Sequence, residues 1–126
     1  MDIIFAGSKN SLGLKRVYWW EVGEYPRDLD LMLGKPLGDP FGVSHSPTGF
    51  EWGYYGSGPA QLAFAMLYTF LAYGTPADES QCRTITLNNY QDFKEAFIAG
   101  LPENGWQISG ESIQDWLAER VDFSRE

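Results

Sequence analysis

A single cysteine, Cys82, and a single histidine, His45, stand among 126 residues, and their scarcity decides several questions at once. One thiol cannot close an internal disulfide, and one thiol with one imidazole cannot make a Cys/His zinc site. Positive charge is scarce too: nine lysines and arginines face seventeen acids, for a net charge of −8. Such a surface repels nucleic acid, whose binding rests on phosphate neutralisation, so direct nucleic-acid contact is not expected. Long apolar runs are missing as well. The longest, Leu62–Ala72, is interrupted by Tyr68 and Thr69 and is too short to cross a bilayer. Met1-Asp2-Ile3-Ile4-Phe5 carries no basic leader of a secretory signal. The expected setting is a cytoplasm, with no membrane partner, no metal and no cofactor.

Aromatic residues, by contrast, make up 16% of the chain against 21% charged, a composition that argues against disorder. The length suits one domain with a core of its own. The acids are unevenly spread, seven against five bases over residues 1–76 and ten against four over 77–126. An acidic half of this kind suits a basic protein partner through complementary potential, and it serves solubility equally well.

Three stretches are expected along the chain: an N-terminal β-hairpin over 1–25, an ordered loop rich in glycine, proline and aromatics over 26–58, and a helical part over 59–121. Ile3-Ile4-Phe5 reads as a short strand, Gly7–Gly13 as a turn, and Leu14–Val22 as the second strand. Leu29, Leu31 and Leu33 alternate and are consistent with one further strand. Ser57 or Gly58 is placed to cap a helix with Pro59 in its first turn, and Gly74 and Pro76 stop it. Its apolar residues lie on every face, which makes it central and buried. Arg83–Leu87 alternates with β-branched residues and reads as a strand. Asn88 with Gln91 then resembles a capping box for a second helix, whose stripe is Tyr90, Phe93, Phe97 and Leu101. Trp106–Ile108 reads as an edge strand. Ser109 caps a third helix with Ile113, Trp116, Leu117 and Val121 on one face, before a fraying tail at Asp122–Glu126. The fold class expected is α+β, a small and mainly antiparallel sheet packed on three helices.

Chemistry, if any, concentrates between His45 and Ala63, where four glycines, two prolines and four aromatics precede the central helix. Gly56-Ser57-Gly58 opening a helix presents free N–H groups to an anion, with Gln61 one turn on and Trp52 and Tyr54 available to stack a ring. Pro59 and the missing lysine count against a phosphate loop, and Glu51 adds negative charge. The alternative is a tight turn with packed aromatics. His45 and Glu51 form the acid/base pair of an enzyme reading, but no nucleophile with an orienting group accompanies them. Cys82 is read as a small apolar residue. Trp19 and Trp20 are consecutive in a strand, so one of them faces away from its neighbour; if one sheet face is open, an exposed tryptophan marks a protein-binding surface. Asp92, Glu95, Glu111, Asp115 and Glu119, with Glu103 and Asp122, fall on helix surfaces, either as a contact for a basic partner or as a solvated face.

The run His45-Ser46-Pro47-Thr48-Gly49-Phe50-Glu51-Trp52-Gly53-Tyr54, followed by Gly56-Ser57-Gly58-Pro59-Ala60-Gln61-Leu62-Ala63, resembles the hallmark of a family of unknown function labelled DUF6166. Tyr90–Lys94, Leu101-Pro102, Trp106 and the Ile113–Leu117 helix extend the resemblance over roughly residues 36–118. Leu31–Val43 looks like an expansion, and Tyr55 stands where that family more often has glycine. The resemblance implies no activity. It implies a phage or plasmid setting, and this setting, the acidity and the aromatic surface candidates together motivate the expected function: a small acidic, non-catalytic protein that inhibits or sequesters a host protein, of the defence type, by surface contact. A small-ligand or nucleotide-binding domain built on residues 56–61 is the alternative, and an enzyme using His45 and Glu51 the third reading.

Overall fold

Alternating side chains build the first two strands, β1 (Ile3–Lys9) and β2 (Lys15–Glu21), paired antiparallel with Phe5 opposite Trp19. The turn between them is held by the Asn10 carboxamide oxygen, which accepts the N–H groups of Leu12 (2.9 Å) and Leu14 (3.0 Å). Gly13, with φ 84°, supplies the left-handed step that other residues resist. The turn is therefore shorter than the sequence suggested: Gly7, Ser8 and Lys9 belong to β1, and Gly7 is sandwiched between Val17 and Trp106 of the adjoining strands. A two-residue β3 (Arg27–Asp28) joins β2, and β4 (Gly105–Ser109) pairs with β1, giving an antiparallel sheet in the order β3-β2-β1-β4. The computed structural model describes residues 2–29 and 50–121. Leu31 and Leu33, His45, Ser46, the Leu31–Val43 expansion and the tail from Asp122 lie outside the described residues.

One sheet face is apolar and covered. Ile3, Phe5, Val17, Trp19 and Ile108 point into the core, where helix α1 (Ser57–Gly74) lies. This helix is the expected central one, sealed from Ala60 through Leu67. Its N-cap is Gly56, and no side chain caps it. The expected cap at Ser57 or Gly58 is thus replaced by a glycine backbone, and stability comes from burial rather than from capping.

The largest correction falls on residues 83–87, which are helical, not extended. Helix α2 (Glu79–Phe93) starts at Asp78, whose carboxylate accepts the Gln81 N–H at 2.8 Å while the Gln81 side chain accepts the Asp78 N–H at 2.7 Å. This reciprocal pair nucleates the helix ten residues before the predicted Asn88 cap. Asn88 and Gln91 are interior positions. Cys82, Thr86, Tyr90 and Phe93 form its buried stripe against α1, so tertiary burial overrides the β preference of Thr84, Ile85 and Thr86. Cys82, read as a small apolar residue, sits on the buried side of this helix.

A π-helical turn, Lys94–Ile98, continues from α2, with the Ala99 N–H reaching back to the Lys94 carbonyl at 2.9 Å. The wider turn lets Phe97 stack on Phe93, at 4.7 Å between ring centroids. Helix α3 (Gly110–Ala118) follows β4 directly, capped by Ser109, whose hydroxyl accepts the Ser112 N–H at 3.2 Å as expected. Ile113 and Leu117 are buried, and Trp116 meets Phe93 edge-on at 5.5 Å. Fold class and helix count are as read from the sequence: an antiparallel sheet with three helices. Among the described residues no helix is long and apolar enough to cross a membrane.

Asp78→Ala removes the cap that starts α2 and is expected to lower the unfolding free energy by about 1 kcal/mol. Urea denaturation followed by circular dichroism reads this out; an unchanged midpoint would mean that the capping box contributes nothing to α2.

Candidate functional site

The loop that delivers the chain into α1 is fastened to the sheet by one indole. Trp52 is fully buried, and its ring N–H donates to the carbonyls of Pro102 (2.9 Å) and Glu103 (3.2 Å). The ring meets Trp106 of β4 edge-on, 5.5 Å between centroids and 87° between planes. Trp106 in turn lies flat across Gly7, where an added Cβ would fall 2.4 Å from the indole. Glycine at position 7 is therefore what admits the second tryptophan. Gly53, with φ 85°, turns the chain away and donates its N–H to the Ile98 carbonyl at 3.1 Å.

Charge closes the same corner. The Lys15 ammonium lies 2.8 Å from Glu51, 3.3 Å from Glu103 and 4.9 Å from the centre of the Trp52 ring, on a side chain only 9% exposed. Lys9 approaches Glu103 at 3.4 Å. Burial disfavours the Lys15 ammonium, but hydrogen bonds and charge from Glu51 and Glu103 outweigh it and raise its pKa. Hydrogen bonds from Lys15 and then Lys9 hold Glu103 below the usual carboxylate range. Two lysines on the hairpin thus tie down both the loop and the entry to β4. Lys9, Lys15 and Glu103 carried no sequence signal as a group, since residues from three elements meet there.

The remaining predicted residues are placed as follows. At the Gly56–Gly58 backbone, read as an anion cradle, the chain itself comes close to both glycines. A Cβ at Gly58 would sit 2.6 Å from the Glu51 Cβ, and one at Gly56 would sit 2.8 Å from the Tyr54 ring. Both glycines admit these close neighbours, and Ser57 simply begins the helix. Gln61 is fully buried among the core side chains. Glu51, read as half of an acid/base pair, is the Lys15 partner, and His45 lies outside the described residues. Burial, helped by the Asp78 charge, pushes the Cys82 thiol up and away from the reactive thiolate. Among the described residues no group of three or more potential metal ligands converges.

The partner candidates separate into two regions. Trp19 is core, 4% exposed, with Tyr73 against it at 4.7 Å and the Arg27 guanidinium over it at 4.3 Å. Trp20 points to the opposite sheet face beside Tyr18 and is half-buried. The acids lie on the helices instead. Glu111, Asp115 and Glu119 recur every fourth residue along the exposed side of α3, Glu95 is exposed on the π turn, and Asp92 is paired with Arg120 at 2.9 Å.

A family model described as a family of unknown function, DUF6166, matches residues 33–119. No curated protein and no solved structure matches the chain.

The lowered pKa of Glu103 makes its contact pH-dependent with a definite sign. A carboxyl held below its ordinary value of 4.5 stabilises the fold above that pH and loses the effect as acid titrates it through the lowered value. The thermal midpoint of the wild type is therefore expected to exceed that of Glu103→Gln at neutral pH, the two converging in strong acid and at high salt. A gap that persists unchanged in acid would show that the ion pairs are not its source.

Proposed function

We propose, from the premise that this chain belongs to the DUF6166 family, that it is a non-catalytic binding protein which inhibits or sequesters a protein partner by surface contact. The observation that carries the reading is the two-faced sheet. Its helix-covered side holds Phe5 and Trp19, while Tyr18 and Trp20 stand together on the other side, opposite Ala6 and Ile4 of β1. Tyrosine and tryptophan supply large contact area at low entropic cost and dominate protein-binding hot spots.

The acidic line Glu111–Asp115–Glu119 favours a partner with a basic surface, which the net charge of −8 would steer into encounter. The glycine-rich loop supports the same reading, because its close approaches are made by Glu51 and Tyr54 of the chain itself. Non-catalytic action is supported by the commitment of Glu51 to Lys15 and by the burial of Cys82. A host protein of the defence type, met by a phage- or plasmid-encoded inhibitor in the host cytoplasm, is the finer form of this proposal, and the family resemblance alone suggests it.

Capture of partners from host lysate on the tagged chain, followed by native mass spectrometry, tests the proposal. One stoichiometric protein is expected, held at least tenfold more weakly by Trp20→Ser at an unchanged thermal midpoint, since an interface hot spot is worth about 2 kcal/mol or more. Glu111→Lys, Asp115→Lys and Glu119→Lys together are expected to slow association and flatten its salt dependence. No captured protein, or capture indifferent to both sets, would overturn the assignment.

A further inference from the structure

A cavity of about 500 Å3 opens between the end of the sheet and the second half of α1, lined by Trp19, Arg27, Asp28, Tyr68, Thr69, Ala72 and Tyr73. Its volume lies in the range of small-molecule sites. Its walls are flat and aromatic. Tyr73, half exposed, leans on Trp19 with centroids 4.7 Å apart, and Tyr68 is stacked parallel to the buried Phe64 at 6.4 Å and 9°.

Polar groups around the cavity are donors in excess. The Asp28 carboxylate is already engaged, both oxygens 3.2 Å from the Arg16 guanidinium. Arg27 is left with its face on Trp19 at 4.3 Å and, among the described residues, with no carboxylate paired to it. Thr69, only 3% exposed, and Tyr68 bring hydroxyls that donate no hydrogen bond among the described residues. Neither oxygen is among the buried atoms left without a partner, so each is open to an acceptor brought into the cavity. The Arg16–Asp28 pair is neutral as a unit, and Glu79 and Arg83 of α2 act on Tyr68 with opposite sign, so among the described residues Arg27 gives this corner a positive balance. Planar walls, a guanidinium with no carboxylate partner among the described residues and two hydroxyl donors together call for a flat body carrying an anionic acceptor.

We propose that this cavity binds a small aromatic carboxylate, its ring against Tyr73 and Tyr68 and its carboxylate at Arg27 and the Tyr68 and Thr69 hydroxyls. The site is distinct from both the glycine-rich loop and the outer sheet face, and it stands whether or not a protein partner is found.

Titration of the 15N-labelled full chain with 2-naphthoate, beside its neutral counterpart 2-naphthamide, decides the matter. Saturable shifts are expected at Arg27, Tyr68, Thr69 and Tyr73, with the amide at least tenfold weaker, because the charge-assisted contact is lost. Arg27→Gln is expected to weaken naphthoate about tenfold and leave naphthamide unchanged, since only the ionic contact is removed. Should Arg27→Gln fail to fold, Tyr68→Phe keeps the ring and removes only the hydroxyl, and it is expected to weaken naphthoate several-fold. Shifts that do not saturate or map elsewhere, equal affinity for acid and amide, or indifference to the folded variants would each overturn the proposal.

Discussion

Burial of the first half of helix α1 on every side is the constraint from which the remaining architecture follows. An amphipathic helix can lie on a sheet and leave its back to water, but Ala60–Leu67 leaves no polar back. It must be closed by the sheet on one side and by α2, the π turn and α3 on the others, and each of these meets it. Entry into so enclosed a helix leaves little space for a connecting loop. Glycines at 56 and 58 let Glu51 and Tyr54 lie against the helix start, and the left-handed step at Gly53 lets the chain pass beneath Leu101. Trp52 then locks the loop through its two carbonyl contacts. The dense glycine–aromatic signature is what a buried helix entrance requires, before any ligand is considered.

The ion pairs at this corner are secondary in energy but specific in position. Glu103 is well exposed, so its contacts with Lys9 and Lys15 are screened and individually weak. Lys15 differs because its stem is covered and its ammonium rests over Trp52, where loss of the acidic partners would leave a poorly solvated charge. The hairpin, the loop and the start of β4 therefore agree on one register through a single lysine.

Periodicity revealed the elements whose burial is one-sided or complete. The two hairpin strands, α1, β4 and the Ser109-capped α3 were all legible, because alternation, a full apolar run or a cap followed by a stripe has few alternatives. Residues 79–93 were misread for a physical reason. Their stripe, Cys82, Thr86, Tyr90 and Phe93, is half polar by composition, so the helical period is faint, while Thr84, Ile85 and Thr86 imitate a strand locally. The Asp78–Gln81 box is the sequence signal of the helix start, and it stands upstream of the strand-like Arg83–Leu87 run. The Lys15 cluster and the Arg27 cavity were invisible for another reason. Each joins residues tens of positions apart, and a single sequence without fold coordinates contains no distance between them.

Among the described residues, the distribution of side chains favours the surface contact proposed above. Catalysis needs titratable groups that converge and remain uncommitted, with a perturbed pKa aimed at a reacting atom. Among the described residues three perturbed groups, Lys15, Glu103 and Cys82, are spent, and burial holds the fourth, Tyr68, above its ordinary value. Lys15 and Glu103 neutralise each other, and Cys82 is protonated by burial. The groups suited to recognition are of another kind: Tyr18, beneath the Arg16 guanidinium, with Trp20 across one sheet face, a row of carboxylates along α3, and a guanidinium beside aromatic walls. The sheet and α3 present these features on separate layers of the molecule, so a partner seated on Trp20 would leave the α3 acids free to steer its approach or to engage a second surface.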